Sequence, residues 1–497
     1  MDYLQILKLV MPETIVLLAA LGVLFVDLGI MRTAEGKFRR IVAAAIACAG
    51  CLVAIFWMHQ VHQETTADYL AGELLVDSLT QLVKQALLAF MIFTAFISLD
   101  SEFTDHVGEF FALLLLSTVG MMLLVSAENL LMIFIALELT SLSLYILTAF
   151  AKRNPHSAEA ALKYFLFGSM AAAVTLFGMS LIYGLTGSIE LRSVAAALKG
   201  RVPDPLLAAA MVMTVIGFGF KIAVVPFHLW APDAYQGAPA PSAAFIASGS
   251  KVASFFIFAK IMMLGFAGAE GSGDWRAYES GWVPLLAVVA AFSMLLGNLA
   301  AIAQDNVKRL LAFSAVAHGG YALLGIATHN AKGVAALVYY VVTYALTVLG
   351  AFGVVSAVEN AAGEARLADF AGLCRRAPVL SFCMMIFMLS LAGIPPLAGF
   401  FGKFYVFTVA VGAKPGSLGL LWLVILAIAM SAVSLYYYLQ VLKQIYVIES
   451  PAGAPAVNAS TPFQIAVVVA AAAVLVLGCA PHLLVGPLSA AIQSSGF

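Results

Sequence analysis

Seven ionisable side chains lie inside long apolar stretches of this 497-residue chain. They are Lys84, Lys163, Lys221, Lys251, Lys260, Lys403 and Glu138. A charge near the centre of a bilayer costs at least ~2.5–3.5 kcal/mol, so such residues usually face a protein interior or a water-filled path. A protein that only anchors a partner has no use for six such lysines. The pattern therefore predicts a membrane protein that holds protons or ions at mid-membrane.

Three of the lysines are the strongest candidates for proton transfer. Lys221 and Lys403 lie beside proline-rich interruptions of their spans, and Lys251 lies near the middle of a span among small residues. A desolvated lysine can lose its proton near neutral pH when a neighbouring charge changes. Lys84 lies only about two turns into its span, which favours an interfacial lysine that extends to the headgroups. For Lys260, near the end of its span, that interpretation and a functional one are equally open.

Glu138 is the one carboxylate that the sequence places deep in an apolar span. A buried carboxylate needs a cationic partner or water to stay charged. One of the lysines is the obvious partner, and Thr140, Ser141 and Ser143 offer hydrogen bonds nearby. A structural ion pair that only fixes helix packing is the alternative.

Two histidines lie near this predicted path. His228 follows the first interruption, and His318 lies in the tenth span, directly before Gly319 and Gly320. Histidine can relay protons near neutral pH, and we include His228 among the predicted relay residues. Either histidine is equally consistent with a hydrogen-bonded structural role.

The composition excludes a soluble enzyme. The chain is 63% hydrophobic and 10% charged, with a mean hydropathy of +1.02, whereas soluble domains contain about 25% charged residues. The net charge of −1 gives no sign of a nucleic-acid partner. The predicted loops are too short for a catalytic domain of ~50 residues. Cys48 and Cys51 have C-x-x-C spacing inside a span, where packing is favoured over a metal or redox role.

Apolar runs of about 20 residues, the length that crosses a bilayer, occur about fourteen times along the chain. The sequence therefore predicts an all-α polytopic membrane protein with about 14 transmembrane helices. Two spans are interrupted, near 221–241 and 393–403, by prolines that cannot continue a helix. Non-helical backbone survives at membrane depth only inside protein or along a cavity. The interruptions lie five spans apart, as expected for two inverted five-helix repeats with one broken helix each.

This placement predicts four regions along the chain. They are three N-terminal spans at 1–109, a first five-span repeat at 110–270, a second at 271–450, and a C-terminal span at 451–497. Loop lysines and arginines set the orientation of membrane proteins. If both termini are periplasmic, more of these residues fall on the cytoplasmic side than outside. We therefore expect periplasmic termini.

Three segments resemble one known family: FKIAVVPFHLWAPDAYQGAPAPSAAFIASGSK at 220–251, the Glu138 span, and GIPPLAGFFGKFYVF at 393–407. They are similar to the antiporter-like membrane subunits of proton-pumping NADH:quinone oxidoreductase, respiratory complex I. These subunits are related to large subunits of multi-subunit sodium/proton antiporters. The resemblance covers about residues 110–450. Among the three complex I types it is closest to the N type, since an M type usually has Glu at the position of Lys403.

The resemblance implies a role for each candidate. Glu138 would pair with Lys221 and modulate its proton affinity, and Lys163 would bridge to that pair or communicate with a neighbouring subunit. Lys251 would be the central relay, and Lys403 would stand towards an exit half-channel. Two half-channels, one in each repeat, would be joined by this hydrated polar axis.

The resemblance also implies partners and a location. The chain would be one subunit of a hetero-oligomeric complex I in the bacterial inner membrane, translocating protons without redox catalysis of its own. NADH, FMN, iron–sulfur clusters and quinone would bind partner subunits, and this chain would hold no cofactor or metal. Two alternatives stay open: a subunit of a multi-subunit cation/proton antiporter, and a scaffold whose buried charges only fix assembly.

Overall fold

The computed structural model is built almost entirely of helices. It describes residues 8, 10–61, 67–69, 74–199, 204–275, 277–412 and 419–495. The α-helices are α1 (Met11–Phe25), α2 (Gly36–Val61), α3 (Ser78–Ile97), α4 (Val107–Ser126), α5 (Leu130–Thr148), α6 (Pro155–Thr186), α7 (Leu191–Leu198), α8 (Pro205–Ile222), α9 (Trp230–Gly237), α10 (Ala240–Ala247), α11 (Gly249–Lys260), α12 (Trp282–Ile302), α13 (Val307–Ala327), α14 (Ala331–Ala362), α15 (Leu373–Arg376), α16 (Pro378–Ala392), α17 (Ala398–Gly412), α18 (Leu421–Tyr446), α19 (Thr461–Cys479) and α20 (His482–Ser495).

Short irregular elements complete the chain. Turns of π-helix extend α1 and α11, at Val26–Ile30 and Ile261–Gly265, and a 3-10 turn covers Leu367–Phe370. Two small antiparallel pairs lie in loops: β1 (Ala67–Tyr69) with β2 (Leu74–Val76), and β3 (Ser272–Gly273) with β4 (Tyr278–Glu279).

Thirteen helical segments of the described chain are long and apolar enough to cross a membrane. The shorter helices α16 and α17 together make an interrupted fourteenth span. A bilayer core of about 30 Å requires ~20 helical residues, and helices satisfy their backbone hydrogen bonds without water. The predicted all-α polytopic fold with about 14 spans is confirmed.

The two five-helix repeats share one order of helix lengths. The helices α4, α5 and α6 have 20, 19 and 32 residues, and α12, α13 and α14 have 21, 21 and 32. An interrupted helix comes fourth in each repeat, α8 with α9 and α16 with α17. A 26-residue span comes fifth, at Ala240–Gly265 and Leu421–Tyr446. Because five is odd, the second repeat lies upside down in the membrane relative to the first.

Helix caps repeat in the same order. The Asn129 side chain caps α5 by accepting hydrogen bonds from two backbone N–H groups, and Asn306 caps α13 in the same way. The third helix of each repeat ends at a left-handed glycine, Gly187 with φ 70° and Gly363 with φ 82°. Glycine suits this position because it has no Cβ to clash. Matching caps therefore end matching helices in the two halves.

Both interrupted helices stop at a left-handed residue that is followed by proline. The helix α8 stops before Ala223, with φ 57°, and α16 stops before Gly393, with φ 87°. The peptide bonds before Pro226 and Pro396 are cis.

Each stop leaves carbonyl groups at a helix end without intrahelical partners. At the second break the carbonyls of Leu391 and Ala392 accept from the Lys403 ammonium. At the first break, in contrast, the Phe220 carbonyl accepts from Trp230 Nε1.

Successive spans alternate direction, so the ends of the helices define two membrane faces. We call the face at which α1 begins the N-face. The three N-terminal spans are α1 to α3, and the region 451–497 contains α19 and the shorter α20. The region boundaries at 109, 270 and 450 stay predictions. The terminal residues 1–7 and 496–497 lie outside the described residues, and the periplasmic location of the termini stays a prediction as well.

Candidate functional site

The first helix break holds Lys221 among uncharged groups. Lys221 is buried, one residue before the end of α8. Its ammonium donates hydrogen bonds to Ser141 Oγ at 2.5 Å and to Tyr145 Oη at 3.4 Å, both on α5. The rings of Tyr145 and Phe220 lie 5.4 and 5.2 Å from Nζ, within the range of cation–π attraction. The contacts that hold this lysine are therefore all to neutral side chains.

Glu138 lies on α5, one turn before Ser141, and is only partly buried. The exposed apolar residues at helical spacing around it are Leu131, Ile135, Leu142 and Ile146. Among the described residues, Glu138 forms no ion pair and its Oε1 has no hydrogen-bond partner. Glu138 and Lys221 therefore make no direct ion-pair contact, although the Glu138 carboxylate lies within electrostatic range of the Lys221 ammonium. Its modulating role, implied by the family resemblance, stays a prediction. Ser141 and Tyr145 bind the ammonium instead, while Glu138 belongs to the outward stripe of the same helix.

Lys251 lies on α11, a helix whose residues are all buried. Its ammonium donates one hydrogen bond, to the Ala315 carbonyl oxygen at 3.0 Å. A lysine ammonium has three N–H donors, so two of them lack an acceptor in the described part of the chain. Buried polar groups in this situation are usually satisfied by water. We therefore expect ordered water beside Lys251.

His318 links the surroundings of Lys251 to a group of hydroxyls. It is buried on α13, one turn beyond the carbonyl that binds Lys251. Its Nδ1 lies 2.7 Å from Tyr340 Oη, and its Nε2 lies 3.2 Å from Tyr438 Oη. Tyr438 Oη lies 2.5 Å from Ser314 Oγ. A neutral imidazole donates through one nitrogen and accepts through the other, so this histidine can pass a proton between its two neighbours.

Lys403 follows the second break and reaches back to the end of the preceding helix. Its ammonium donates to the carbonyl oxygens of Leu391 and Ala392, at 2.9 and 3.2 Å, and to Ser431 Oγ at 2.8 Å. These three acceptors match its three N–H groups. Because α16 ends at Ala392, the ammonium also stabilises the negative end of the helix dipole.

A cavity of about 720 Å³ adjoins Lys403. Lys403 and Ser431 are polar groups of its wall, and Phe404 and Phe407 are part of its apolar lining. The Tyr321 ring lies 5.2 Å from Lys403 Nζ, on the inner side. The second break therefore has a lysine at the boundary between an apolar cavity and the protein interior.

Tyrosines and an asparagine connect the second break to His318. Asn298 donates to Tyr321 Oη at 3.1 Å and accepts from Tyr437 Oη at 2.9 Å. The rings of Tyr437 and Tyr438 lie 4.4 Å apart, and Tyr438 contacts His318. Buried polar groups thus extend from Lys251 to Lys403. No hydrogen bond between described residues joins the Lys221 group to Lys251.

Lys163 lies apart from this interior row, near the face opposite the N-face. Its side chain is 41% exposed and pairs with Glu159 at 2.7 Å and Asp233 at 2.9 Å. Asp233 also pairs with Arg309 at 2.5 Å. Burial raises the pKa of the Asp233 carboxyl, but hydrogen bonds from Arg309 and Lys163 outweigh it and hold that pKa below its usual value. The cluster joins α6, α9 and α13.

His228 lies in the first break, partly exposed. Its Nδ1 has no hydrogen-bond partner among the described residues, and its ring lies 6.4 Å from the Phe313 ring. The structure therefore places it at the break without joining it to the hydrogen-bonded groups around His318.

The interfacial interpretation of Lys84 and Lys260 is wrong. Lys84 is 3% exposed and pairs with Glu13 at 2.7 Å, and Lys260 pairs with Glu128 at 2.5 Å with 1% of its side chain exposed. Each lysine is buried because a carboxylate from another helix end compensates its charge. Glu13 and Glu128, near span ends, were the available sequence signal. Glu138 is thus not the only carboxylate buried at a span.

A family model, curated relatives and solved structures all relate this chain to membrane subunits of the same kind. Residues 127–431 match a family model described as NADH:quinone oxidoreductase/Mrp antiporter, transmembrane. NADH-quinone oxidoreductase subunit N 2 of Acidobacterium capsulatum is 51% identical over 97% of this chain and 98% of the relative. A chain of respiratory complex I from Thermus thermophilus with bound aureothin is 33% identical, with a TM-score of 0.77 over 97% of this chain and 100% of that one.

A more distant structure shares the fold alone. A chain of the Mrp complex from Dietzia sp. has a TM-score of 0.80 at 20% sequence identity, covering 98% of this chain and 97% of that one.

Proposed function

Because the chain belongs to the NADH:quinone oxidoreductase/Mrp antiporter family of transmembrane proteins, we propose that it is the N-type proton-translocating subunit of an NADH:quinone oxidoreductase. Relatives that carry the subunit N name match it along nearly their whole length. The chain acts as part of that enzyme complex and carries out no redox step itself. Other membrane subunits of the complex are its partners.

One observation carries the proposal: three buried lysines are held by uncharged groups. Lys221, Lys251 and Lys403 donate to hydroxyls and backbone carbonyls, whereas Lys84 and Lys260 are held by carboxylates. An interior ammonium that no carboxylate contacts directly is held weakly against loss of its proton. A lysine in a tight ion pair keeps its charge. The first set is therefore suited to exchanging protons, and we call it the lysine row.

Lys251 acts as the central relay of the row in this proposal. Its two unfilled N–H positions accommodate water towards Lys221, and His318 carries the proton onward through Tyr438. Lys403 then exchanges the proton at the second break. His228 exchanges protons at the first break, since its buried Nδ1 has no partner among the described residues. Each of the two repeats, at about 110–270 and 271–450, contributes one half-channel.

Glu138 and Lys163 couple the row to a neighbouring subunit. Glu138 lies within an exposed apolar stripe of α5, and a charged carboxylate that faces lipid is energetically costly. A membrane-embedded partner that covers this stripe would supply a polar group to Glu138. Lys163, on the exposed surface of α6, is free to exchange its Glu159 partner for one on that subunit.

The remaining assignments concern the rest of the complex. We propose that NADH, FMN, iron–sulfur clusters and quinone bind partner subunits, and that this chain binds none of them. The complex lies in the bacterial inner membrane, with both termini of this chain periplasmic. The alternative of a multi-subunit cation/proton antiporter has weaker support, since the Mrp complex shares the fold at only 20% identity. Co-purification with quinone-oxidoreductase subunits distinguishes the two.

The decisive experiment replaces Lys221 or Lys251 with Met in the whole complex, reconstituted in vesicles. Both variants should assemble and lose NADH-driven proton pumping by ~10²-fold or more, the contribution of a positioned acid–base group. Lys152→Met, at an exposed lysine, is the matched control. Normal pumping in both assembled variants would remove the relay and leave a scaffold. Glu138→Gln should impair pumping without blocking assembly, and unchanged activity would remove Glu138 from the mechanism.

A further inference from the structure

Glu128 and Lys260 form a buried ion pair that the lysine row does not use. Lys260 Nζ lies 2.5 Å from Glu128 Oε1, and the two side chains are 1% and 4% exposed. Lys260 ends α11, the helix that carries Lys251, and Glu128 lies in the junction between α4 and α5. The helix α5 carries Glu138. The pair therefore ties together, at the N-face, two helices that hold proposed relay residues.

The Glu128 carboxylate has unfilled hydrogen-bonding capacity. Apart from the contact with the Lys260 ammonium, neither of its oxygens accepts a hydrogen bond from a described residue. The Asp27 carboxylate provides the contrast, since it accepts two hydrogen bonds from Arg39 and one from the Gly108 backbone. A carboxylate offers about four acceptor positions, and empty ones are costly in the interior. Protein donors fill three of about four acceptor positions on Asp27, whereas Glu128, like Glu13, has only its lysine contact among the described residues and so has room for a proton or a water molecule.

Backbone and hydroxyl groups of the α4–α5 junction surround the chain segment that carries Glu128. The Lys260 ammonium also donates to the Ala127 carbonyl oxygen at 3.2 Å. Ser126, the last residue of α4 and two residues before Glu128, is buried, and its Oγ has no hydrogen-bond partner among the described residues. On the side of the N-face, the Glu128 carbonyl accepts a hydrogen bond from Leu191 N–H at 2.9 Å, at the start of α7. The other charged groups within electrostatic range of Lys260 are Asp77, which caps α3, and the exposed Arg192 on α7. Polar groups of the α4–α5 junction and of the N-face loops therefore lie around the pair.

Lys260 thus has two carboxylates, Glu128 and Asp77, and one further cation, Arg192, within electrostatic range. The Glu128 carboxylate has unfilled hydrogen-bond positions. When Glu128 is ionised, Lys260 compensates it. When Glu128 is protonated, Lys260 keeps Asp77 as a more distant counter-charge. Both protonation states therefore have electrostatic support, which a single isolated carboxylate at this depth would lack.

We propose that Glu128 and Lys260 form a proton-exchange site between the interior of the first repeat and the aqueous phase at the N-face. A protonated water in the interior of the first repeat gives its proton to a Glu128 carboxylate oxygen; the water O–H bond breaks, neutral water remains, and Glu128 becomes a carboxylic acid. Its O–H bond then breaks, the proton passes to a surface water, and the electron pair stays on the carboxylate beside the Lys260 ammonium. Lys260 is a positioning residue that supplies charge. The inference rests on the proposed proton translocation and adds an exchange point outside the lysine row.

The test is Glu128→Gln in the reconstituted whole complex, with Glu13→Gln as the matched control. Both changes neutralise a buried carboxylate that pairs with a lysine near the N-face, but Glu13 and Lys84 lie on α1 and α3, outside the repeats. The readouts are proton pumping during NADH oxidation and the infrared difference spectrum between resting and turning-over enzyme. Glu128→Gln should lose a protonated-carboxyl band and slow pumping by ~10²-fold or more, the contribution of a positioned acid–base group. Glu128→Asp should restore both.

An unchanged spectrum and normal pumping in assembled Glu128→Gln would overturn the site and leave a structural pair. If that variant does not assemble, Glu128→Gln combined with Lys260→Met removes both charges and should assemble. Normal pumping and an unchanged carboxyl band in the double variant would equally overturn the proposal. Failure here is separable from failure of the proposed function, because Lys251→Met would still abolish pumping if only the Glu128 site is wrong.

Discussion

The two helix breaks have the same architecture but hold their lysines differently. In the first repeat Lys221 precedes the break and donates to two hydroxyls on a neighbouring helix. In the second repeat Lys403 follows the break, and its three donors find two carbonyls and a hydroxyl. The first ammonium therefore depends on side chains of another helix, whereas the second is largely held by the broken helix itself. Two breaks of the same architecture thus hold their lysine ammonium groups with different numbers and kinds of hydrogen bonds.

The largest expected effect comes from removing each lysine in turn. Lys221→Met and Lys403→Met should both lower coupled proton pumping by ~10²-fold or more, because each removes an acid–base group from the row. The pumping rate is measured as proton uptake by vesicles during NADH oxidation, in variant complexes whose subunit content matches the wild type. If one variant pumps normally, the two breaks do not act in series and the comparison between them fails.

A smaller effect should distinguish the unequal support. Ser141→Ala leaves Lys221 with one long hydrogen bond, so we expect a loss of about tenfold in pumping rate, for ~1–3 kcal/mol of lost solvation. Ser431→Ala leaves Lys403 with both carbonyls and should cost only a few-fold, for ~0.5–1.5 kcal/mol. The pumping rates of the two variants are compared with that of Ser169→Ala, at an exposed serine. Equal losses in Ser141→Ala and Ser431→Ala would contradict the difference drawn here.

The backbone of the two breaks offers a third comparison, in stability. Gly393→Ala places a Cβ 3.1 Å from the Lys403 Cδ atom in a left-handed position, where an L-residue costs ~1–2 kcal/mol. Ala223 already occupies such a position with φ 57°, so Ala223→Gly should be neutral or slightly stabilising. The thermal midpoint of the purified complex measures both changes. A stable Gly393→Ala complex would show that the second break tolerates what the first one already contains.

The smallest expected effect concerns Asp233, directly after the first break. Its pKa is lowered in the folded protein, so its pair with Arg309 and Lys163 stabilises above the ordinary value of 3.8 and is lost only as the pH falls below it. The Asp233 pair should therefore contribute equally to the thermal midpoint of the complex throughout about pH 5 to 8. The pH dependence of the midpoint in this range should be the same in the wild type and in Asp233→Asn. A step in this range that disappears in the variant would contradict the assignment.

The sequence was sufficient to predict the spans and their breaks, but not which residues pair across different helices. Span lengths, prolines and lysines in apolar runs are local features, and they correctly predicted the two breaks and the burial of Lys221, Lys251 and Lys403. The role of these lysines as a proton-exchanging row stays a proposal. The neutralisation of Lys84 by Glu13 and of Lys260 by Glu128 joins residues from distant spans, which no single span reveals. The same holds for Glu138, whose position depends on which face of α5 packs inward. His318 was located, but its contacts with Tyr340 and Tyr438 come from two other helices.

The upside-down arrangement of the repeats has a consequence for direction. Two repeats related by inversion give protons equivalent routes from either side of the membrane. The repeats by themselves therefore do not favour one direction of proton transport. Moving one charge against 100 mV of membrane voltage takes ~2.3 kcal/mol. The preference for one direction of proton movement must come from differences between the two halves, such as the third hydrogen bond of Lys403. Alternatively, it comes from conformational changes of the neighbouring subunits. Reversing the voltage in a complex without NADH would show how much of this preference is built into this chain.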